Sequence, residues 1–127
     1  MAFLGRGFSL IELLVVIALI GILAGISYPS YERQVARSTM TEGRIYLESL
    51  AVQQAQSRLQ AGKFLLLDAL LQATPPSERI SAAFDVSQKL SGDFLGFQLL
   101  LAPKGGKTSL EAMTLDHWGL FHSDYEW

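Results

Sequence analysis

The sequence predicts an α+β protein: one long N-terminal α-helix, membrane-spanning in its first half, packed on a small antiparallel β-sheet. Three observations predict it. Phe8 to Tyr28 (FSLIELLVVIALIGILAGISY) is a run of 21 residues with one charge, Glu12, long enough to cross a hydrocarbon core of ~30 Å as a helix. Apolar residues then recur at helical spacing as far as Gly62. Beyond Pro76 the text changes to short alternating or apolar stretches divided by turn signals.

Composition fits one small domain on an anchor. A chain of 127 residues bounds the fold to a single domain. Its net charge of −2, more negative by one if Arg6 is removed with a leader, supplies no bulk basic field for nucleic acid or anionic lipid. There is no cysteine, so the head is expected to hold together by packing.

Taken in order, residues 1–7 (MAFLGRG) read as a leader. The segment is too short and too poor in apolar residues for an ordinary secretory signal, and no small-residue cleavage site follows the apolar run. Cleavage after Gly7 instead leaves Phe8 with a new α-amine about one helical turn from Glu12. Residues 8–29 form the spanning helix. A lone acid in such a span costs on the order of 2.5–3.5 kcal/mol at the bilayer centre and less near the interface, where Glu12 stands. A positive partner in a neighbouring chain would compensate it. Gly21 and Gly25 make a GxxxG beside Ala18 and Ala24, a pattern that serves close helix packing or is ordinary membrane-helix composition. Pro29 lacks an N–H and is expected to kink or loosen the turn before it.

Residues 30–127 are read as the head. An amphipathic helix over 30–62 has Tyr31, Val35, Ile45, Leu47, Leu50, Val52, Ala55 and Leu59 as its main apolar positions. Gly43 weakens it by ~1 kcal/mol relative to Ala, and Arg44 and Glu48 form a weak i,i+4 pair. A connection over 63–80 follows. Within it, Lys63 to Ala73 (KFLLLDALLQA) is a short helix on the core or a buried loop, and Pro75 and Pro76 end it. The sheet occupies 81–127. Ala82, Phe84 and Val86 alternate in a first strand, and Phe94 to Ala102 makes a second, with Gly96 at a bulge. Lys104 to Lys107 turns, Ala112 to Leu115 makes a third strand, and Trp118 to Phe121 a fourth.

The stretch RGFSLIELLVVIALIGILAGISYPSY, Arg6 to Tyr31, resembles the N-terminus of type IV pilins and of the related type II secretion pseudopilins. The resemblance implies a prepilin signal: a peptidase cuts after Gly7 and methylates Phe8. It also implies that Glu12 contacts the N-terminus of a neighbouring subunit during assembly, and that the helix between Gly21 and Pro29 melts in the filament. The tail is similar to that of some minor pilins, with MTLD (Met113 to Asp116), Gly119 and Glu126-Trp127 in corresponding places. It departs from them in having no cysteine, so the disulfide that closes this loop in many relatives cannot form. Trp118, Phe121, Tyr125 and Trp127 are read as pinning the loop, in preference to an exposed aromatic patch.

What the resemblance implies is a structural subunit of a type IV pilus, above all a minor pilin that primes or modulates assembly, in a family with roles in adhesion, twitching motility and DNA uptake. Its partners would be other pilin subunits, the prepilin peptidase and an inner-membrane assembly platform. It would sit in the inner membrane with its head in the periplasm, then on the pilus at the cell surface. Two alternatives are a type II secretion pseudopilin and the DNA-receptor pilin of a competence pilus. DNA binding needs Arg58, Lys63, Arg79, Lys89, Lys104 and Lys107 to be gathered by the fold. No enzyme is expected: the chain has no Cys nucleophile, no Gly-rich phosphate loop and no nucleophile elbow. No cofactor or metal is expected either, since His117 and His122 beside Asp116 and Asp124 lack further donors, and Asp116, Asp124 and Glu126 are too scattered for a calcium loop.

Overall fold

The computed structural model describes residues 7–92, 95–106 and 109–122. It divides into two units, Met1–Val35 and Ala36–Trp127, and helix α1 (Leu10–Ala61) contributes to both.

In the first unit, Gly7 to Ser9 lead into α1, whose first bond runs from the Leu13 N–H to the Ser9 carbonyl at 3.1 Å. The apolar side chains from Leu10 to Ile26 are all exposed, and the apolar stretch is long enough to cross a membrane. A fully apolar helical surface with nothing covering it is stable only in lipid or against other apolar helices. The helix runs unbroken through Pro29, where the expectation was a kink or a loosened turn. The proline cannot donate to the Gly25 carbonyl, but its fixed φ is itself compatible with a helix.

The second unit is α+β, as the sequence predicts. After α1 come α2 (Leu67–Ala73), α3 (Glu78–Ala83), β1 (Phe84–Leu90), β2 (Phe97–Pro103), β3 (Met113–Asp116) and β4 (Phe121–His122). The strands form one antiparallel sheet in the order β1-β2-β3-β4. Register explains which face is buried. The pairs Val86↔Leu101, Leu90↔Phe97, Leu99↔Leu115 and Leu115↔Phe121 put Phe84, Val86, Phe97, Leu99, Leu101, Leu115 and Phe121 on one face. That face joins Tyr46, Leu47 and Leu50 of α1, Leu70 of α2 and Ile80 of α3 in a single core.

Several boundaries differ from those the sequence predicts. The buried positions of α1 are Thr39, Gly43, Tyr46, Leu47, Leu50, Gln54 and Ser57, whereas Ile45, Val52 and Leu59 are exposed. At 100° per residue those three stand about half a turn away from Gln54, so two apolar stripes exist and the sheet covers one. Gly43 is a notch: a Cβ there would lie 2.7 Å from the Met113 methyl carbon and 3.3 Å from the Phe84 ring. Helix α1 stops at Ala61, and Gly62 follows in the left-handed region at φ 72°, its N–H bonded to the Arg58 carbonyl.

Of the two readings of Lys63 to Ala73, a short helix on the core or a buried loop, the structure has the helix, α2 with Leu70 buried, and the connection 63–80 also holds the start of α3. Ser77 caps α3, its hydroxyl accepting the Ile80 N–H at 3.3 Å, and Ala82 is helical rather than extended. β2 begins at Phe97; Phe94 lies outside the described residues. Gly96 precedes the strand rather than bulging within it, packed under the His117 ring, 3.0 Å from where its Cβ would be. The fourth strand is Phe121–His122, because Trp118 to Leu120 belong to the turn before it.

Candidate functional site

The residues singled out at the N-terminus lie along one exposed helix. Phe8 is 78% exposed just ahead of the first turn, and Glu12 is an acid within that turn. Carboxylates are favoured there, where unpaired N–H groups and the helix dipole present positive charge. Glu12 makes no ion pair with any described residue. Gly21 and Gly25 have no heavy atom within 4 Å of where a Cβ would stand, so each leaves an open dent in the helix surface. Pro29 follows one turn on. The arrangement is an apolar rod with one fixed negative charge near its end and shallow notches at its middle, and the chemistry it offers is association, not reaction.

A second constellation, in the head, centres on Asp116 at the end of β3. One carboxylate oxygen accepts the backbone N–H groups of Trp118 and Leu120, each at 2.9 Å. The other meets His122 Nε2 at 3.1 Å. Burial pushes the Asp116 carboxyl up, but the Leu120 N–H, the His122 ring and the Trp118 N–H outweigh it and hold the group below its ordinary value. The β3–β4 turn is thereby closed from inside by a carboxylate. Gly119 takes φ 79° within it, and its N–H is bonded to the Asp116 carbonyl at 3.0 Å. The role of Asp116 is missing from the sequence reading, although an Asp followed two residues later by a turn containing Gly is an Asx-turn signal.

The aromatic residues of this loop divide. Phe121 packs against the core with the Arg44 guanidinium over its ring at 4.2 Å. Trp118, read from the sequence as a pin, is 76% exposed, since the turn aims it away from the core. Tyr125 and Trp127 lie outside the described residues, as do Asp124 and Glu126. Among the described residues no group of three His, Asp or Glu side chains is gathered as a metal would need.

The six cations considered for DNA do not form one cluster. Arg79 pairs with Glu42 at 3.4 Å, and Lys104 with Asp85 at 3.3 Å and the Ser81 carbonyl at 2.7 Å. Lys107 lies outside the described residues. The expected Arg44–Glu48 pair is present but long and exposed, at 3.9 Å.

Comparison with known proteins finds one family model, matched at the N-terminus, and several fimbrial relatives. Residues 5–28 match the model described as the prokaryotic N-terminal methylation motif. The chain is 62% identical over 37 residues to fimbrial protein EcpC of Eikenella corrodens, covering 29% of this chain and 24% of that protein. It is 43% identical over 60 residues to the type IV major fimbrial protein FimA of Dichelobacter nodosus, 47% of this chain and 36% of the relative. A fimbrial protein of Pseudomonas aeruginosa is 36% identical over 87 residues, 68% of this chain and 53% of the relative. The matches thus span from about a quarter to about half of these relatives' length. No solved structure matches the chain.

Proposed function

We propose that this chain is a type IV pilin and a structural subunit of a pilus, a reading supported by the match to the N-terminal methylation motif and by the similarity to fimbrial proteins. The observation that carries the reading is an uncovered apolar helix with Glu12 in its first turn. A peptidase cut after Gly7 frees the Phe8 amine, which is then methylated and remains cationic. The Glu12 carboxylate of one subunit pairs with that cation on the next, and the charge pair compensates the cost of holding an acid among apolar helices. Gly21 and Gly25 let neighbouring helices approach closely, and Pro29 gives the adjoining turn one hydrogen bond fewer to lose if it unwinds.

Before assembly the same helix anchors the subunit in the inner membrane with its head in the periplasm; afterwards the head is displayed on the fibre. The partners are other pilin subunits, the prepilin peptidase and the assembly platform. The narrower reading is a minor pilin that primes or modulates the fibre, supported by a cysteine-free head closed through Asp116 rather than by a disulfide.

The test is quantitative mass spectrometry of filaments sheared from the cell surface, following the peptide that begins at Phe8. A methylated peptide, rare beside another pilin, is the expected result. A dominant amount would make the chain the fibre itself and overturn the minor-pilin reading. Recovery from the envelope alone would overturn the reading of a subunit displayed along the fibre, in favour of a type II secretion pseudopilin or a priming subunit that stays at the base.

A further inference from the structure

The sheet ends in two edge strands, β1 and β4, and they are unlike. β4 is two residues long, Phe121–His122, and so short an edge offers little to an incoming strand. β1 has seven residues, Phe84–Leu90, all of them paired with β2 on one side.

The bonds just beyond its two ends fix which main-chain groups face outward. The Ala83 carbonyl accepts the Lys104 N–H at 2.8 Å, and the Ser91 N–H donates to the Gly96 carbonyl at 2.9 Å. Both bonds continue the register Asp85↔Ala102, Ser87↔Leu100 and Lys89↔Gln98. In an antiparallel ladder the main-chain groups of successive residues point alternately to one neighbour and away from it. Asp85, Ser87 and Lys89 therefore bond to β2, and Val86, Gln88 and Leu90 turn their N–H and C=O groups to the open edge. Phe84 closes the start of that edge, its N–H taken by the Ile80 carbonyl. Among the described residues nothing bonds to the outward main chain of Val86, Gln88 or Leu90. The Gln88 side chain is engaged on the core side, at the Leu65 carbonyl.

Side chains alternate between the two faces of the sheet. Val86 and Leu90 pack against the core, while Asp85 and Lys89 are exposed on the opposite face with Ser87 midway between them. Charges on an edge strand ordinarily guard it against strand addition. Here an acid and a base stand at equal distances from Ser87, so one partner turns the guard into a match: a second β1, antiparallel about a two-fold at Ser87. In that register Asp85 of each copy faces Lys89 of the other, and Val86 exchanges main-chain bonds with Gln88. Centring the pair on Asp85 or Lys89 would set like charges opposite each other, which is destabilising. Centring it on Val86 or Gln88 leaves both charges opposite neutral residues.

We propose that the β1 edge joins two copies of this chain, strand to strand about a two-fold at Ser87, into one continuous antiparallel sheet. Asp85 is held to Lys104 at 3.3 Å and Lys89 also has a partner within its own chain. The charges therefore select the register, and the main chain supplies the bonding. A strand of another sequence would meet the same open groups without the matching charges. The pairing uses no part of the apolar stretch of α1 and is independent of whether the chain enters filaments.

The chain has no cysteine, so one introduced thiol reports one contact. At the two-fold, the Ser87 residues of the two copies form a pair without mutual main-chain bonds, their Cα atoms ~4.5 Å apart. A disulfide spans roughly 4.4–6.8 Å between such atoms. The test oxidises the full chain in uncharged detergent micelles with copper phenanthroline and reads the covalent dimer on a non-reducing gel. Ser87→Cys should cross-link at least about tenfold faster than Ser109→Cys, which is exposed in the β2–β3 connection, because pairing raises the local thiol concentration. Adding Lys89→Asp to Ser87→Cys sets Asp85 against an acid and should slow the reaction about fivefold. Adding Asp85→Lys as well restores opposite charges and should restore the rate. A circular-dichroism spectrum matching the parent shows that the variants are folded. Equal rates for the two thiols, a rate indifferent to Lys89→Asp, or failure of the double exchange to restore it would each overturn the proposal.

Discussion

The side-chain amide of Gln54 grips both polar atoms of the Leu65 main chain. Its Oε1 accepts the Leu65 N–H at 2.7 Å, and its Nε2 donates to the Leu65 carbonyl at 2.9 Å. Gln54 is fully buried in α1, so the helix presents to the connection that follows it what a neighbouring strand would present. Ser57 does the same once more, donating to the Lys63 carbonyl at 3.0 Å, and Gln88 of β1 adds a second donor to Leu65 at 2.9 Å.

Replacing Gln54 by Leu should therefore cost stability although the new side chain is apolar and of similar size. The Leu65 N–H loses its partner, at roughly 1–3 kcal/mol for a polar group left unsatisfied. Urea unfolding of the full chain in detergent, followed by tryptophan fluorescence, should show a lower midpoint. An unchanged midpoint would mean that water takes over the bond.

Gly43 offers a graded test of the contact between α1 and the sheet. Ala there meets mainly the flexible end of Met113, and the ~1 kcal/mol gained in helix propensity offsets the strain, so Gly43→Ala should be near neutral. Gly43→Leu must displace Phe84 and Leu101 as well and should lose about 1–3 kcal/mol through overpacking. Equal midpoints for the two variants would show that the notch is not a close contact in solution.

Asp116 sets an acid limb on stability. Its folded pKa lies below the ordinary aspartate value of ~3.9, so the folded state takes up a proton less readily than the unfolded one. The contribution is complete above that ordinary value and is lost as pH falls towards the folded pKa. Thermal melts between pH 6 and pH 2.5 should steepen below about pH 4 in the parent and less so in Asp116→Asn. Identical pH profiles would mean that other carboxylates set the limb.

At the other end of the chain, Glu12→Ala should be cut after Gly7 normally yet enter filaments poorly, with a loss of about tenfold or more, measured by the same Phe8 peptide count in sheared fibres. A loss of 1.4 kcal/mol in the intersubunit pair already gives that factor. Glu12→Gln, which keeps size and removes charge, should behave like Ala. Normal incorporation of both variants would end the role assigned to the carboxylate.

The legibility of the chain follows the physics of each part. An uninterrupted apolar run has one simple solution, a helix in an apolar medium, so residues 8–28 could be placed from the text. In the second half of α1 both stripes are partly apolar, and no period distinguishes Leu47 and Leu50, under the sheet, from Ile45 and Val52, outside it. The choice rests on which stripe offers the Gly43 notch and the Gln54 amide, and both are tertiary facts. Strands were visible where residues alternate, at Phe84 and Val86, and shifted where apolar runs are continuous, as before Phe97. The hub at Asp116 needed the β4 histidine to come back beside it, six residues on, which only the hairpin fixes.

A head fastened at its last hairpin by a carboxylate and an imidazole, in a chain without a thiol, is closed by a proton-sensitive catch rather than an electron-sensitive one. Reductants have nothing to open in it, and it can close without an oxidant or a disulfide isomerase. Its fold is therefore indifferent to the redox state of the compartment through which it passes, and answers to acidity instead.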